Sequence, residues 1–173
     1  GEGVHVEELT EQLLKAAVDI ALLRSQDLWE LDLFRQAQPH WHQQGAVGYT
    51  AYADHFAGNL RGVVERIDYL KSLGVTYLHL LPFFKAAEGP NDGGFAVANF
   101  EVVEPRLGTQ ANLEFLTQAL RTAGISLCSD FVLNHVAHDH EWAIEARNGH
   151  PDFQNFFYMA HSQAEVDAWE KNL

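Results

Sequence analysis

In DFVLNH, Asp130 to His135, a carboxylate, an amide and an imidazole sit at the end of an apolar run. The run holds Ile125, Leu127, Phe131, Val132 and Leu133, and polar groups in such company are costly to desolvate unless each finds a partner. A carboxylate, an amide and an imidazole together can grip hydroxyl groups. Read as one strand, Asp130 and Asn134 share parity and face one side, while His135 lies where the strand ends and can turn toward the same space. Two readings fit these residues: a hydrogen-bonded network that fixes a strand end, or the lining of a site.

The loop EGPNDGGFAVANF offers a second set of groups. Asp92, Gly93 and Gly94 are ordinary turn chemistry, and a plain surface loop would use them too. Phe95 and Phe100 follow closely, however. An aromatic ring presented by a glycine turn is what a pyranose stacks on, because a sugar face is C–H surface edged by hydroxyls. Rings, carboxylates, amides and imidazoles together are the composition of a carbohydrate site.

Parallel strands separated by helices must position these groups. Leu9 to Leu23 and Ser25 to Gln38 show helical apolar spacing and form a helical N-terminal extension, about residues 1–45. A turn-rich stretch containing His40 to His42 follows and reads as a packed, capped junction. YTAYADHF reads as a first strand. Asn59 then caps a helix with Leu60, Val63, Val64, Ile67 and Leu70 inside and Gly74 at its end. VTYLHLLP is the second strand. Thr109 caps the next helix, whose stripe is Leu113, Leu116 and Leu120, Gly124 ends it, and ISLCSDFVL is the third strand. Apolar strands alternating with amphipathic helices predict an α/β fold with a parallel sheet over residues 46–135. The polar residues gather where each strand ends: Asp54 and His55, then Pro82 and Phe83, then Asp130, Asn134 and His135. Ligands bind at that edge of parallel α/β folds. Residues 136–173 show no third helix of the series and read as the start of an inserted subdomain.

The chain of 173 residues carries 24 acidic against 11 basic side chains, a net charge of −13, which excludes the basic footprint of a nucleic-acid or anionic-membrane partner. No apolar run approaches the ~20 residues of a membrane span, and no signal-peptide pattern opens the chain. A cytoplasmic location is favoured on that basis, with the compartment left open. Cys128 is the only cysteine, so no intramolecular disulfide forms. His135, His138 and His140, spaced by three and two residues, do not make a recognised metal motif. No metal or other cofactor is expected.

GYTAYADHFAGNLRGVVERIDYLKSLGVTYLHLLPFF, DGGFAV, EPRLGT and GISLCSDFVLNH together resemble the opening of the catalytic barrel of the α-amylase family, glycoside hydrolase family 13. DFVLNH is similar to the family's first conserved region. Within the family the likeness is to the amylosucrase branch, the HEWA stretch at His140 to Ala143 included. The resemblance implies the first three βα units of a TIM (β/α)8 barrel. It implies that His135 hydrogen-bonds the glucosyl unit beside the scissile bond and stabilises its transition state, and that Asp130 pairs with an arginine near the nucleophile. Asn134 would hold the strand-end geometry, its equivalent binding calcium in calcium-dependent amylases; calcium is not favoured here. Asp92 matches the acid that closes the base of the sugar pocket, and Phe95 stands where the family usually has tyrosine, keeping the stacking and losing the phenol hydroxyl.

Retaining enzymes of this kind need a nucleophilic carboxylate and an acid about 5 Å apart. The family takes both from later strands, in motifs absent from this sequence. A closed barrel needs eight strands and about 250 residues. The chain therefore reads as an N-terminal fragment, inactive alone, whose stability needs the rest of the barrel. Its parent would cleave sucrose, release fructose and pass glucose to an α-1,4-glucan. The alternatives are hydrolysis or isomerisation of sucrose or α-glucans, or sugar binding without chemistry.

Overall fold

A computed structural model describes residues 6–38 and 45–171. The junction expected at His40 to His42 lies outside the described residues. The chain divides into two compact units, Gly1–Ala46 and Val47–Leu173.

In the first unit the apolar periodicity becomes α1 (Val6–Leu22) and α2 (Gln26–Ala37). Arg24, between them, closes a two-pronged pair on Asp32, with Nε to Oδ2 at 2.7 Å and Nη2 to Oδ1 at 2.8 Å. The planar guanidinium matches both carboxylate oxygens, which fixes direction as well as distance. Neither helix fully buries a residue.

The second unit is built on three parallel strands, β1 (Gly48–Ala51), β2 (Tyr77–Leu80) and β5 (Ser126–Ser129), in the order β1-β2-β5. After β1 come α3 (Ala53–Ala57), α4 (Leu60–Glu65) and α5 (Ile67–Ser72). An antiparallel pair, β3 (Phe84–Ala86) and β4 (Val97–Val103), and then α6 (Gln110–Thr122) separate β2 from β5. The caps read from the sequence are present. The Asn59 side chain accepts from the Gly62 N–H, Thr109 and Asn112 form a capping box, and Gly74 and Gly124 close their helices at φ 73° and 74°. Leu60, Val63, Leu70, Leu116 and Leu120 meet Leu78 and Leu80 in one core, so helices cover one face of the sheet. Strand alternation sends Thr50, His79 and Cys128, which share a register, to the opposite face.

The structure corrects four expectations. The first strand stops at Ala51, and Asp54 and His55 lie on α3. The helix capped by Asn59 breaks at Arg66, which sits at φ −96° and ψ 2°. The β-branched Val63, Val64 and Ile67 weaken helical continuity there. The long loop after β2 contains the β3–β4 ladder, favoured by the β-branched and aromatic Val97, Phe100, Val102 and Val103. The third strand ends at Ser129 and does not run through Leu133. Its partner β2 ends at Leu80, opposite Ser129, so no backbone is offered further on. Phe131 and Leu133 are accordingly 61% and 81% exposed, and strand parity does not relate Asp130 to Asn134.

Gly62 gives this packing a sign test. Alanine ordinarily stabilises a helix interior by about 1 kcal/mol over glycine. A Cβ at Gly62, however, would stand 1.9 Å from the Ala57 carbonyl oxygen. Gly62→Ala is expected to destabilise by about 1–3 kcal/mol, as overpacking does, and Asn59→Ala by about 1 kcal/mol through loss of the cap. Urea unfolding of both variants checks the two values, and a gain at Gly62→Ala would contradict the close approach of α3 and α4.

Candidate active site

Asp92 owes its position to a turn wired by its own side chains. Asn91 Oδ1 accepts from the N–H groups of Gly93 and Gly94 at 3.0 and 3.1 Å, and Asp92 Oδ1 accepts from the Ala96 N–H at 2.7 Å. Gly93 and Gly94 take φ 83° and 92°, and a Cβ at Gly93 would lie 2.6 Å from the Tyr52 hydroxyl. Both positions take a backbone conformation that favours glycine. The half-buried Phe95 follows directly on this turn.

His135 comes from the segment after β5 and meets that turn. Its Nε2 is 3.5 Å from Asp92 Oδ2, and its Nδ1 is 3.3 Å from the Asn134 side-chain amide. An amide N–H donated to Nδ1 leaves the proton on Nε2, facing the carboxylate. Both side chains are about half exposed, at 45% and 46%. This open pair can exchange its contact for a ligand hydroxyl, with Asp92 accepting and His135 donating.

Asp130, just past β5, faces His79 instead, with Nε2 to Oδ2 at 3.2 Å. Asp92, Asn134 and His135 are therefore brought together, while Asp130 belongs to a neighbouring contact on the sheet. At the rim, partial burial raises the Asp54 carboxyl, but the Arg106 guanidinium and the His55 N–H outweigh it and hold the group below its ordinary range. The Arg106–Asp54 pair ties the segment after β4 to α3.

One sequence expectation changes here. Phe100 lies in an aromatic row, 6.2 Å from Phe84, 5.2 Å from Phe131 and 5.9 Å from His140 between ring centroids, so it packs against its neighbours. His140 is buried and caps α7 (Glu141–Arg147) by accepting the Trp142 N–H at Nδ1. Beyond α7 the chain forms the short α8 (Pro151–Gln154) and α9 (Gln163–Glu170). Among the described residues no group of three or more His, Cys, Asp or Glu is placed to hold a metal ion, and no helix is long and apolar enough to cross a membrane. His79 was missed in the sequence because YLHL reads as an apolar run. The signal was its period: leucines at 78 and 80 point one way, so residue 79 must point the other.

The model of the α-amylase catalytic domain matches residues 27–172. The chain belongs to the α-amylase family. It is 33% identical over 135 residues to trehalose-6-phosphate hydrolase of Escherichia coli (strain K12), covering 74% of this chain and 24% of that protein. It is 33% identical over 127 residues to oligo-1,6-glucosidase of Halalkalibacterium halodurans, covering 69% and 22%. A crystal structure of a MutB mutant in complex with the substrate sucrose superposes with a TM-score of 0.61 at 27% identity, over 69% of this chain and 22% of that one. The three parallel strands and their helices are thus the N-terminal part of a glycoside hydrolase family 13 barrel, with no closed barrel among the described residues. The chain spans about a quarter of the length of the curated relatives it matches.

The Asp92 turn carries a pH dependence whose sign is fixed. The Ala96 N–H, ahead of all other influences, holds the Asp92 carboxyl below its ordinary 3.8; slight desolvation opposes, and its own N–H and His135 reinforce. A depressed carboxyl favours the folded turn above its unfolded value and loses that contribution as pH falls through the folded one. The Ala96 amide is therefore expected to stay protected from hydrogen exchange from neutral pH down to about 4 and to lose protection on further acidification. Asp92→Asn, which keeps an acceptor without the charge, should flatten that profile. An acid-insensitive Ala96 amide in the unsubstituted protein would contradict the assignment.

Proposed function

We propose that the protein containing this chain is a retaining α-glucosyl enzyme whose pocket is closed at its base by Asp92 and His135, with Phe95 as an apolar wall. The observation that carries this reading is the Asp92–His135 contact at the C-terminal edge of a parallel sheet. The two groups present an acceptor and a donor to adjacent hydroxyls of one sugar ring, which suits a terminal glucosyl unit. As the glycosidic bond breaks, positive charge grows at the anomeric carbon and ring oxygen. A ligand network anchored on carboxylate and imidazole tightens at that stage. Asn134 would keep the His135 ring oriented, and Asp130 would support the arginine beside the nucleophile. The nucleophile and the acid belong to the later barrel strands. In its most specific form the reaction is that of an amylosucrase: sucrose is cleaved, fructose leaves, glucose stays bound to the carboxylate and passes to an α-1,4-glucan. Residues 136–173 begin a subdomain inserted after the third strand. No metal or cofactor takes part in this scheme.

A second reading is favoured by the relatives' names. Trehalose-6-phosphate hydrolase and oligo-1,6-glucosidase are named for hydrolysis of short glucosides, and MutB was crystallised with sucrose. Hydrolysis or isomerisation uses the same glucosyl pocket and differs only in what accepts the sugar. Supplying the full-length protein with sucrose and a glucan primer separates the readings. Growth of the primer with fructose release supports transfer, equal glucose and fructose supports hydrolysis, and no turnover of any α-glucoside would reject both.

In the full-length protein His135→Ala is expected to lower kcat by about 100-fold or more, the scale of losing one donor to a charged transition state. Stability should shift by less than about 1 kcal/mol, since the ring is half exposed. Unchanged turnover in a normally folded variant would remove His135 from the chemistry. The chain Gly1–Leu173 alone is expected to release no fructose from sucrose, and measurable release would mean that it holds a complete active site.

A further inference from the structure

Thr50, His79 and Asp130 follow one another across the face of the sheet opposite the helices. Thr50 pairs with His79 in the β1–β2 register and His79 with Cys128 in the β2–β5 register; Asp130 lies two residues beyond Cys128. Leu78 and Leu80 are wholly buried toward the helices, so the imidazole between them faces away from the core. There its Nε2 lies 3.2 Å from Asp130 Oδ2 and its Nδ1 3.5 Å from Thr50 Oγ1. Both ring nitrogens are thus engaged, Nδ1 by β1 and Nε2 by the residue that follows β5. With Nε2–H donating to the carboxylate, Nδ1 becomes the acceptor for the threonine hydroxyl. The imidazole and the carboxylate are only 28% and 26% exposed, so water competes less here than at the open Asp92–His135 pair.

Packing alone does not ask for histidine at this place. An aliphatic side chain would satisfy a sheet face without the cost of desolvating an imidazole and a carboxylate. What the pair achieves is directional: Asp130 has left the ladder at Ser129, and no strand hydrogen bond sets its orientation. His79 holds Oδ2, which leaves the other oxygen for a further donor.

We propose that His79 is a positioning residue of the glucosyl site, acting through Asp130, with Thr50 fixing its tautomer. The proposal rests on the reading of Asp130 as the partner of an arginine beside the nucleophile. Partners one step removed from a reacting centre commonly change rates by about 10–100-fold, and His79 belongs in that range. Glutamine can place its side-chain N–H where Nε2 lies; alanine cannot.

The test uses the full-length protein and variants His79→Ala, His79→Gln, Asp130→Asn and the His79→Ala/Asp130→Asn double variant. Turnover is followed on sucrose, or on whichever α-glucoside the unsubstituted protein consumes, so a wrong substrate does not count against His79. His79→Ala is expected to lower kcat by about 10-fold or more with KM changed by less than about 2-fold. His79→Gln should recover most of that loss, and His79→Ala should add nothing to Asp130→Asn. Independently of turnover, ¹⁵N NMR should find the proton of neutral His79 on Nε2, with Asp130→Asn shifting that signal. Full activity in His79→Ala, an equal loss with and without Asp130, or a His79 ring signal indifferent to Asp130→Asn would each overturn the proposal. If Asp130→Asn itself leaves kcat unchanged while the ring signal moves, the contact is real and the catalytic reading of Asp130 is what fails.

Discussion

The alternation of β2 between two environments is the constraint on which the rest depends. Leu78 and Leu80 are pulled into the core with Leu60, Val63, Leu70, Leu116 and Leu120. At about 25 cal/mol for each Å² of apolar surface removed from water, two fully buried leucines contribute several kcal/mol. That is enough to fix the register of a four-residue strand. Once the register is fixed, period two leaves no choice for residue 79. A slip of one residue would bury the imidazole among leucines and expose the leucines to water. Hydrophobic burial on one face thus places the polar line on the other, and Thr50 and Cys128 follow because parallel pairing carries the same phase to β1 and β5.

The helices and caps were legible in the sequence because each is a local decision. Asn59 and Thr109 each accept an N–H from the first turn that follows, and Gly74 and Gly124 adopt backbone angles that other residues resist. Those choices need no knowledge of distant chain. The end of β5 was not legible for the opposite reason. Phe131, Val132 and Leu133 have strand composition, yet a strand exists only where a neighbour supplies hydrogen bonds, and β2 stops at Leu80. The β3–β4 ladder was hidden in what looked like a loop by its glycine-rich middle, although Val97 to Val103 carried the β-branched and aromatic residues of a strand.

For the site, residue types were readable and partners were not. Asp92 and His135 stand 43 positions apart in sequence, and only the folded turn brings them to 3.5 Å. Asp130 was read with Asn134 and His135 because the three are close in sequence, whereas its partner His79 lies on another strand, 51 positions away. Sequence proximity gave no sign of His79 as a partner; the fold supplies that contact. The family match over residues 27–172 accounts for why the groups are present, while their contacts follow from packing.

The edge therefore carries two imidazole–carboxylate pairs that differ in how they are held. His79 lies within β2 and Asp130 directly after β5, each about one quarter exposed, and their contact is the shorter. His135 and Asp92 belong to loop segments, are about half exposed, and sit farther apart. Water already competes for the second pair, so a ligand hydroxyl can take its place at little cost, because exposed charged contacts are weak. The first pair resists such exchange, since separating it would leave two partly desolvated polar groups without partners. In the proposed glucosyl site, geometry that must stay constant through a reaction would rest on the His79–Asp130 pair, and geometry that must open to admit a sugar on the Asp92–His135 pair. The Asp92 turn is held by its own hydrogen bonds: Asn91 Oδ1 accepts from Gly93 and Gly94, and Asp92 Oδ1 accepts from Ala96, so the carboxylate is placed without help from His135.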